Sequence, residues 1–457
     1  MLLRVLLELL EAWRPAFSQS RSHRRAMAQS LGALTSFGRR TVSRALCALG
    51  QQQQDWSADY RLHARADWKP SRLFQPVLDK ALPLCGGRYV VAAVDDTRLR
   101  KTGRHIQSAF YQRDPLSPKF RFNLMFGLRF LQISLLVPLY RKEKASARAL
   151  PVRFEEVPAL KHPRRKAPRE DWSAYRRAVK KNNLSTAAVR IIADLRQSVD
   201  QAGEHRKQLL IVGDGSFCNR TLFRAVIDRT AILARARRDL KLCRQASGGG
   251  RFYDSAKFTP EDIRQEQSFL WYKARLFHGG QWRKVRYKEV ADIYWQSGAG
   301  RRPLRLFVVA PIPYRAPGRK RNYYRDPAFL LTTDLRGTAR ELLQAYFDRW
   351  QIEVNHREEK DTLGVGQAQV RSALSVPRQP AFAVAGYSAL LLAALLAFGP
   401  GRSSACAPLP KWRRNADRPS CLDLVTLLRK EMNDNPGLLS PFALKIGWKS
   451  LGLCAAA

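Results

Sequence analysis

Apolar positions along the chain follow two periods. Three short apolar runs, at 88–97 after Gly86-Gly87, at 208–215 and at 328–334, are rich in Val, Ile, Leu and Tyr and give way to aspartate, as buried strands do where they leave a sheet. Further strands are predicted at about 120–130, 131–139, 269–277, 282–295 and 304–310. Helical spacing predicts helices through residues 1–80, over 185–201 and near 339–363. From Arg141 to Asn183 the sequence turns highly charged and proline-punctuated, which predicts an exposed basic arm. Strands, a helix, a strand, an inserted segment, then a strand and a helix argue for an α/β core interrupted by a β-rich insertion. The expected divisions are 1–84, a helical N-terminal domain; 85–215 and 327–400, the two parts of the core; 216–326, the insertion; and 401–457, a basic helical tail.

The helix near 339–363 carries the most information. Thr338 followed by Glu341 reads as a capping box, and Gly364 as its C-terminal stop. Leu343, Phe347, Trp350 and Val354 form the stripe expected to pack on the core. Tyr346, Arg349, Glu353 and Lys360 stand at offsets of 3, 7 and 14 from the tyrosine, which on an α-helix is an arc of about 60°. This polar seam would run along the edge of the core. Alone, it could equally be a solvated face with a weak Arg349–Glu353 ion pair.

Charge changes that balance. Lys and Arg number 81 against 38 Asp and Glu, a formal net charge of +43. A compact molecule so charged repels itself unless it lies against a polyanion, and nucleic acid is the first candidate. The basic residues spread along the whole chain, which disfavours a membrane surface. The apolar stretch 381–398 has the Ala and Gly content of a buried packing helix, and the charged apolar start of the chain reads as an amphipathic helix, not a signal peptide. Seven cysteines without CxxC or zinc spacing fit a reducing compartment. Within 24–49, two helical patterns flank Ser36-Phe-Gly38, an arrangement like a helix-turn-helix, with Arg39, Arg40, Thr41, Ser43 and Arg44 opening the second helix where DNA contacts would fall.

Two strands ending on aspartate and one helix presenting a glutamate supply what a two-metal phosphodiester site needs: hard oxygen donors converging outside a sheet. The candidates are Asp96 (with Asp95 as the alternative), Asp214 and Glu353. Strand alternation allows only one of the adjacent pair to face the metals. His105, His278 and His356 lack ligand spacing and are expected to be solvent or phosphate neighbours.

Tyr346, Arg349, Glu353 and Lys360, with Trp350-Gln-Ile-Glu353 and the Leu330–Thr332 strand before them, resemble the DDE transposases of bacterial insertion sequences that carry a Tyr-x2-Arg-x3-Glu-x6-Lys signature. Asp96-Thr97 and Asp214 match that family's first and second aspartates. The resemblance spans about residues 86–372. It implies an RNase H-like core, two Mg²⁺ ions (with Mn²⁺ as substitute) held by Asp96, Asp214 and Glu353, and phosphate contacts from Tyr346, Arg349 and Lys360. It also implies cutting and joining of double-stranded DNA ends by a protein acting as a homodimer on DNA, in the bacterial cytoplasm and without a membrane. Trp271, Trp282 and Trp295 invite comparison with relatives that stack a flipped base, against the plainer reading of β-core packing. The rival functions are a metal-dependent nuclease that cuts without joining and a non-catalytic DNA-binding regulator.

Overall fold

A computed structural model describes residues 1–115, 117–118, 120–139, 147–160, 162–248, 250–315, 321, 323–413 and 418–442. The chain starts with five helices: α1 (Leu2–Glu11), α2 (Ser20–Thr35), α3 (Val42–Ala48), α4 (Ser57–Ala64) and α5 (Pro70–Ala81). The sheet then begins with β1 (Tyr89–Arg100), β2 (Phe110–Arg113), β3 (Leu124–Val137) and β4 (Arg148–Glu156). The helices α6 (Arg169–Lys181) and α7 (Leu184–Gln201) lead to β5 (Gln208–Gly213), the short helix α8 (Arg220–Arg224) and β6 (Thr230–Ala236).

These strands lie in the order β4-β3-β1-β5-β6, with β3 antiparallel to both β4 and β1, and β1, β5 and β6 mutually parallel. The mixed sheet is consistent with an RNase H-like nuclease core. It does not end at β6. After the small β7 (Leu242–Gln245), β8 (Tyr253–Phe258) and α9 (Pro260–Gln265) come β9 (Tyr272–His278), β10 (Gln281–Ile293) and β11 (Leu304–Val309). A two-stranded ribbon, β12 (Pro313–Tyr314) and β13 (Tyr323–Tyr324), precedes β14 (Ala328–Thr332). Strand β14 pairs antiparallel with β6 on one side and β11 on the other, and β10 and β9 follow. Most strands between Asp214 and Glu353 thus extend the core sheet, while β7 with β8 and β12 with β13 form two-stranded sheets of their own.

Two local expectations differ from what is observed. The strands predicted at 120–130 and 131–139 are one strand, β3, whose edge pairs first with β2 and then with β4. Within the stretch expected to be an exposed arm, Arg148–Glu156 is instead the largely buried strand β4, and Arg169–Lys181 is helical. The misleading signals were Pro151 and two arginines. Pro151 sits where the β3–β4 register shifts, a place where a strand tolerates a missing N–H. Arg148 and Arg153 are buried but donate to the Pro419 carbonyl and to Ser198 Oγ, so burial does not orphan their charges. Residues 140–146 and Lys161 of the arm, and 414–417 and 443–457 of the tail, lie outside the described residues.

The last elements are α10 (Ala339–Asp348), α11 (Trp350–Arg357), a π-helical turn (Glu358–Thr362), α12 (Ser375–Phe398) and α13 (Cys421–Asp434). The Thr338–Glu341 capping box forms, and Gly364 adopts φ +57° after the π turn, the left-handed geometry that glycine takes without strain. Helix α12 is apolar on all sides, as buried helices are. It is long and apolar enough to cross a membrane by length and composition, and most of it is buried inside the molecule. It packs between β4 and the N-terminal helices, where Phe382 meets the rings of Trp13 and Trp68.

Candidate active site

The carboxylates are placed by the ends of two parallel neighbours and by the helix that crosses them. Strand β1 keeps Ala92, Ala93 and Val94 fully buried and then presents Asp95 and Asp96 to opposite faces. On the first face, Ala93 packs with Ile352 of α11; Asp95, two residues on, faces the same way. Its Oδ2 lies 3.8 Å from His356 Nε2. Burial pushes the Asp95 carboxyl up to about 6, with Asp214 and Asp96 pressing the same way and His356 and Arg349 opposing. On the other face, Asp96 accepts a hydrogen bond from Arg129 Nε at 3.0 Å, with Arg98 at 3.9 Å. The first choice from sequence is thus turned away from the cleft by strand alternation, and its alternative faces into it.

Asp214 follows Gly213, where a Cβ would come 2.6 Å from that of Phe217, so the turn leaving β5 depends on glycine. Its carboxylate accepts the Ser216 N–H at 2.8 Å. Glu353 projects from α11 and receives Arg349 at 2.9 Å. The Arg349 guanidinium also lies 5.9 Å from the Tyr346 ring. Burial raises the Tyr346 hydroxyl pKa, and Asp214 and Glu353 are close enough to add to the effect.

Asp95, Asp214, Glu353, Tyr346 and Arg349 line one cleft of about 920 Å³, whose wall also carries Arg235, Arg237, Arg238 and Arg264. The donor set is carboxylate oxygen, which suits a hard divalent cation. Among the described residues no three His, Cys, Asp or Glu side chains are grouped closely enough to hold a metal ion. Each carboxylate instead has a partner within the protein. Drawing them together around cations would mean releasing the Arg349 pair and the Asp214 turn.

The other candidates are dispersed. Lys360 lies on the π turn, where burial lowers its pKa while Glu359, Asp361 and Asp95 oppose that shift; it does not line the cleft. Arg39 and Arg44 are exposed. The Arg40 guanidinium is spent on the carbonyls of Ala33, Leu34 and Thr362. Trp295 packs on Phe223 at 5.7 Å, Trp271 has Arg286 and Lys288 each 5.0 Å from its ring, and Trp282 meets Phe277 edge to face. None of the three lines the cleft.

Sequence reasoning missed His356 and the cleft arginines. His356 stands between Asp95 and Glu359, whose Oε2 is 3.5 Å from its Nδ1. Its spacing of three residues from both Glu353 and Glu359 placed it on their helix face. The Arg235-Ala-Arg237-Arg238 run sits at the end of β6, the parallel neighbour of the Asp214 strand.

A mixed sheet of this order, with carboxylates at adjacent strand ends beside an arginine-walled cleft, is consistent with a nuclease core of RNase H-like architecture. Residues 14–249, more than half of the chain, match the DDE superfamily endonuclease family, and the chain belongs to it. The match includes Asp95, Asp96 and Asp214 and ends before Glu353. No curated protein compared with the chain matches it. Members of this endonuclease superfamily typically depend on divalent metal ions, and DNA is the substrate the family implies.

Proposed function

We propose that this endonuclease is the transposase of a bacterial insertion sequence of the Tyr-x2-Arg-x3-Glu-x6-Lys group. It binds the ends of its element as a homodimer in the cytoplasm, near the nucleoid, cuts them, and joins the freed 3′ hydroxyl to target DNA. The observation that carries this reading is that Asp95, Asp214 and the signature-helix Glu353 share one arginine-walled cleft. Those three carboxylates would hold two Mg²⁺ ions, or Mn²⁺, which when bound supply an activated nucleophile and charge stabilisation for an in-line displacement.

The protein's own part is positioning. Arg349, Arg235, Arg237 and Arg238 neutralise phosphate oxygens along the cleft. Releasing Arg349 from Glu353 onto a phosphate frees that carboxylate as the DNA arrives. Tyr346, half-buried beside Asp214 and Glu353, donates its hydroxyl proton to a phosphate oxygen. Residues 1–84, with exposed Arg39 and Arg44, read the element's end; 85–215 and 327–400 make the core, 216–326 lengthens it, and 401–457 forms the basic tail.

The test is cleavage of labelled DNA carrying the gene's flanking ends, with Mg²⁺ and with Ca²⁺, for wild type and Glu353→Gln, followed by joining to a plasmid. Nicking at the boundary only with Mg²⁺ and only in wild type, with joined product, is expected. Nicking without joining would leave a nuclease. Binding without cleavage under every condition would leave a regulator.

A further inference from the structure

Behind Asp95 stands a pair of buried side chains that take no part in lining the cleft. The His356 side chain is 11% exposed and that of Glu359, on the π turn, 2%. Imidazole Nδ1 lies 3.5 Å from Glu359 Oε2, and Nε2 faces Asp95 Oδ2 at 3.8 Å, an ion-pair separation too long for a hydrogen bond. Among the described residues, His356 Nε2 and Glu359 Oε1 are buried without a hydrogen-bond partner. Such orphans are few in folded proteins and each calls for a reason.

The helix carrying the imidazole is fixed on either side of it. Asn355 donates to the Ala149 carbonyl of β4 at 3.1 Å and to Tyr387 Oη of α12 at 2.9 Å, and accepts from Ser134 Oγ of β3 at 2.9 Å. Tyr387 in turn donates to Glu358. These bonds set the ring's place against β1. Asp95 is oriented on its other side, where Oδ1 accepts the Asp96 N–H at 2.9 Å. Its Oδ2 is the oxygen that His356 faces, and closing that gap to a hydrogen bond takes a shift of about 1 Å.

We propose that His356 is a positioning residue for Asp95: Glu359 fixes the imidazole through Nδ1, and Nε2 donates to Asp95 Oδ2 when that carboxylate turns to a divalent cation. Both ring nitrogens face carboxylates, which only accept, so both act as donors. A partner that orients a ligand carboxylate from outside the coordination sphere changes metal affinity by about 10–100-fold. The inference rests on the reading of Asp95 as a metal ligand and adds the group that orients it. A phosphate contact is the poorer role for His356, since the ring stands off the cleft.

The test is calorimetric titration of the full chain with Mn²⁺, without DNA, for wild type, Asp95→Asn, His356→Ala, His356→Asn and His356→Gln. Glutamine carries an amide N–H to where Nε2 stands, and asparagine only to where Nδ1 stands. His356→Ala and His356→Asn should weaken Mn²⁺ binding roughly tenfold and His356→Gln less than about threefold. DNA affinity in EDTA should equal that of wild type for all three. If His356→Ala unfolds at lower temperature, the asparagine–glutamine contrast at matched stability decides. Equal Mn²⁺ affinity across the three variants, high or low, overturns the positioning role while Asp95 remains a ligand. Lost DNA affinity in EDTA would make His356 a phosphate contact instead. A wild type that binds Mn²⁺ no better than Asp95→Asn removes Asp95 as a ligand and the inference with it.

Discussion

Adjacent carboxylates in β1 meet different surroundings because each residue along a strand reverses the face. Asp95 is partly buried near His356 of α11 and Asp214, where its charge is costly; Asp96 is neutralised by Arg129 and Arg98. Asp95→Asn should therefore abolish Mg²⁺-dependent cleavage, while Asp96→Asn keeps it within about tenfold, as a nicking assay on the two variants will read. Arg349→Ala should weaken DNA binding and lower the slope of log K against log salt by about one; an unchanged slope would remove its phosphate contact. Glu156, at the end of β4, carries a second cost. Burial pushes its carboxyl from 4.5 up to about 7, against the opposing effects of Ser108 and Lys101. Raised in the folded state, this group favours folding below its unfolded value and loses that contribution as pH climbs toward 7. Glu156→Gln should match wild type near pH 4 and exceed it by about 1–3 kcal/mol near pH 8, measured by urea denaturation at both pH values.

At the level of elements, the signature helix was legible in its ends and only in part in its faces. The capping box and Gly364 depend on residues within one turn, and both form as expected. The expected core stripe holds at Leu343, which is fully buried, and at Phe347, which packs against the core, but breaks at Trp350. Trp350 is 55% exposed, while Leu342, Ala345, Ile352 and Asn355 are buried. Both stripes have helical spacing, and only the position of the sheet decides between them. Ile352→Ala should cost about 2–5 kcal/mol of stability and Trp350→Ala no more than about 0.5 kcal/mol; chemical denaturation of the pair checks which face is packed. Lys360 stands on the π turn, off the cleft's lining but near enough to Asp95 for that carboxylate to oppose the fall in its pKa. The π turn closes with the Leu363 N–H on the Glu358 carbonyl, five residues back, and the added residue rotates this end of the helix away from the α-helical register.

Over the whole molecule, the largest apolar core runs from Leu2 through the sheet and α12 to Leu439, and a second one lies between the sheet and α10. The N-terminal ammonium meets Glu431 of α13 at 2.7 Å, and Arg429 holds the carbonyls of Thr35 and Ser36 in the turn before α3. Far-UV circular dichroism and tryptophan fluorescence should therefore report one coincident unfolding transition, and deletion of residues 1–84 should yield insoluble protein, because it strips cover from α12. Two transitions would mean that the helical start folds by itself. Most strand positions, the capped ends of the signature helix and the large positive charge were determined by the sequence alone, since periodicity, caps and charge are properties of neighbours in the chain. Which aspartate faces the cleft, that Arg40 is spent on backbone carbonyls, that Arg148–Glu156 is a core strand, and that the strands after Asp214 lengthen the same sheet were decided only by tertiary structure. Each of these depends on a partner far away in sequence: α11 for Asp95, Thr362 for Arg40, β3 for β4 and β6 for β14.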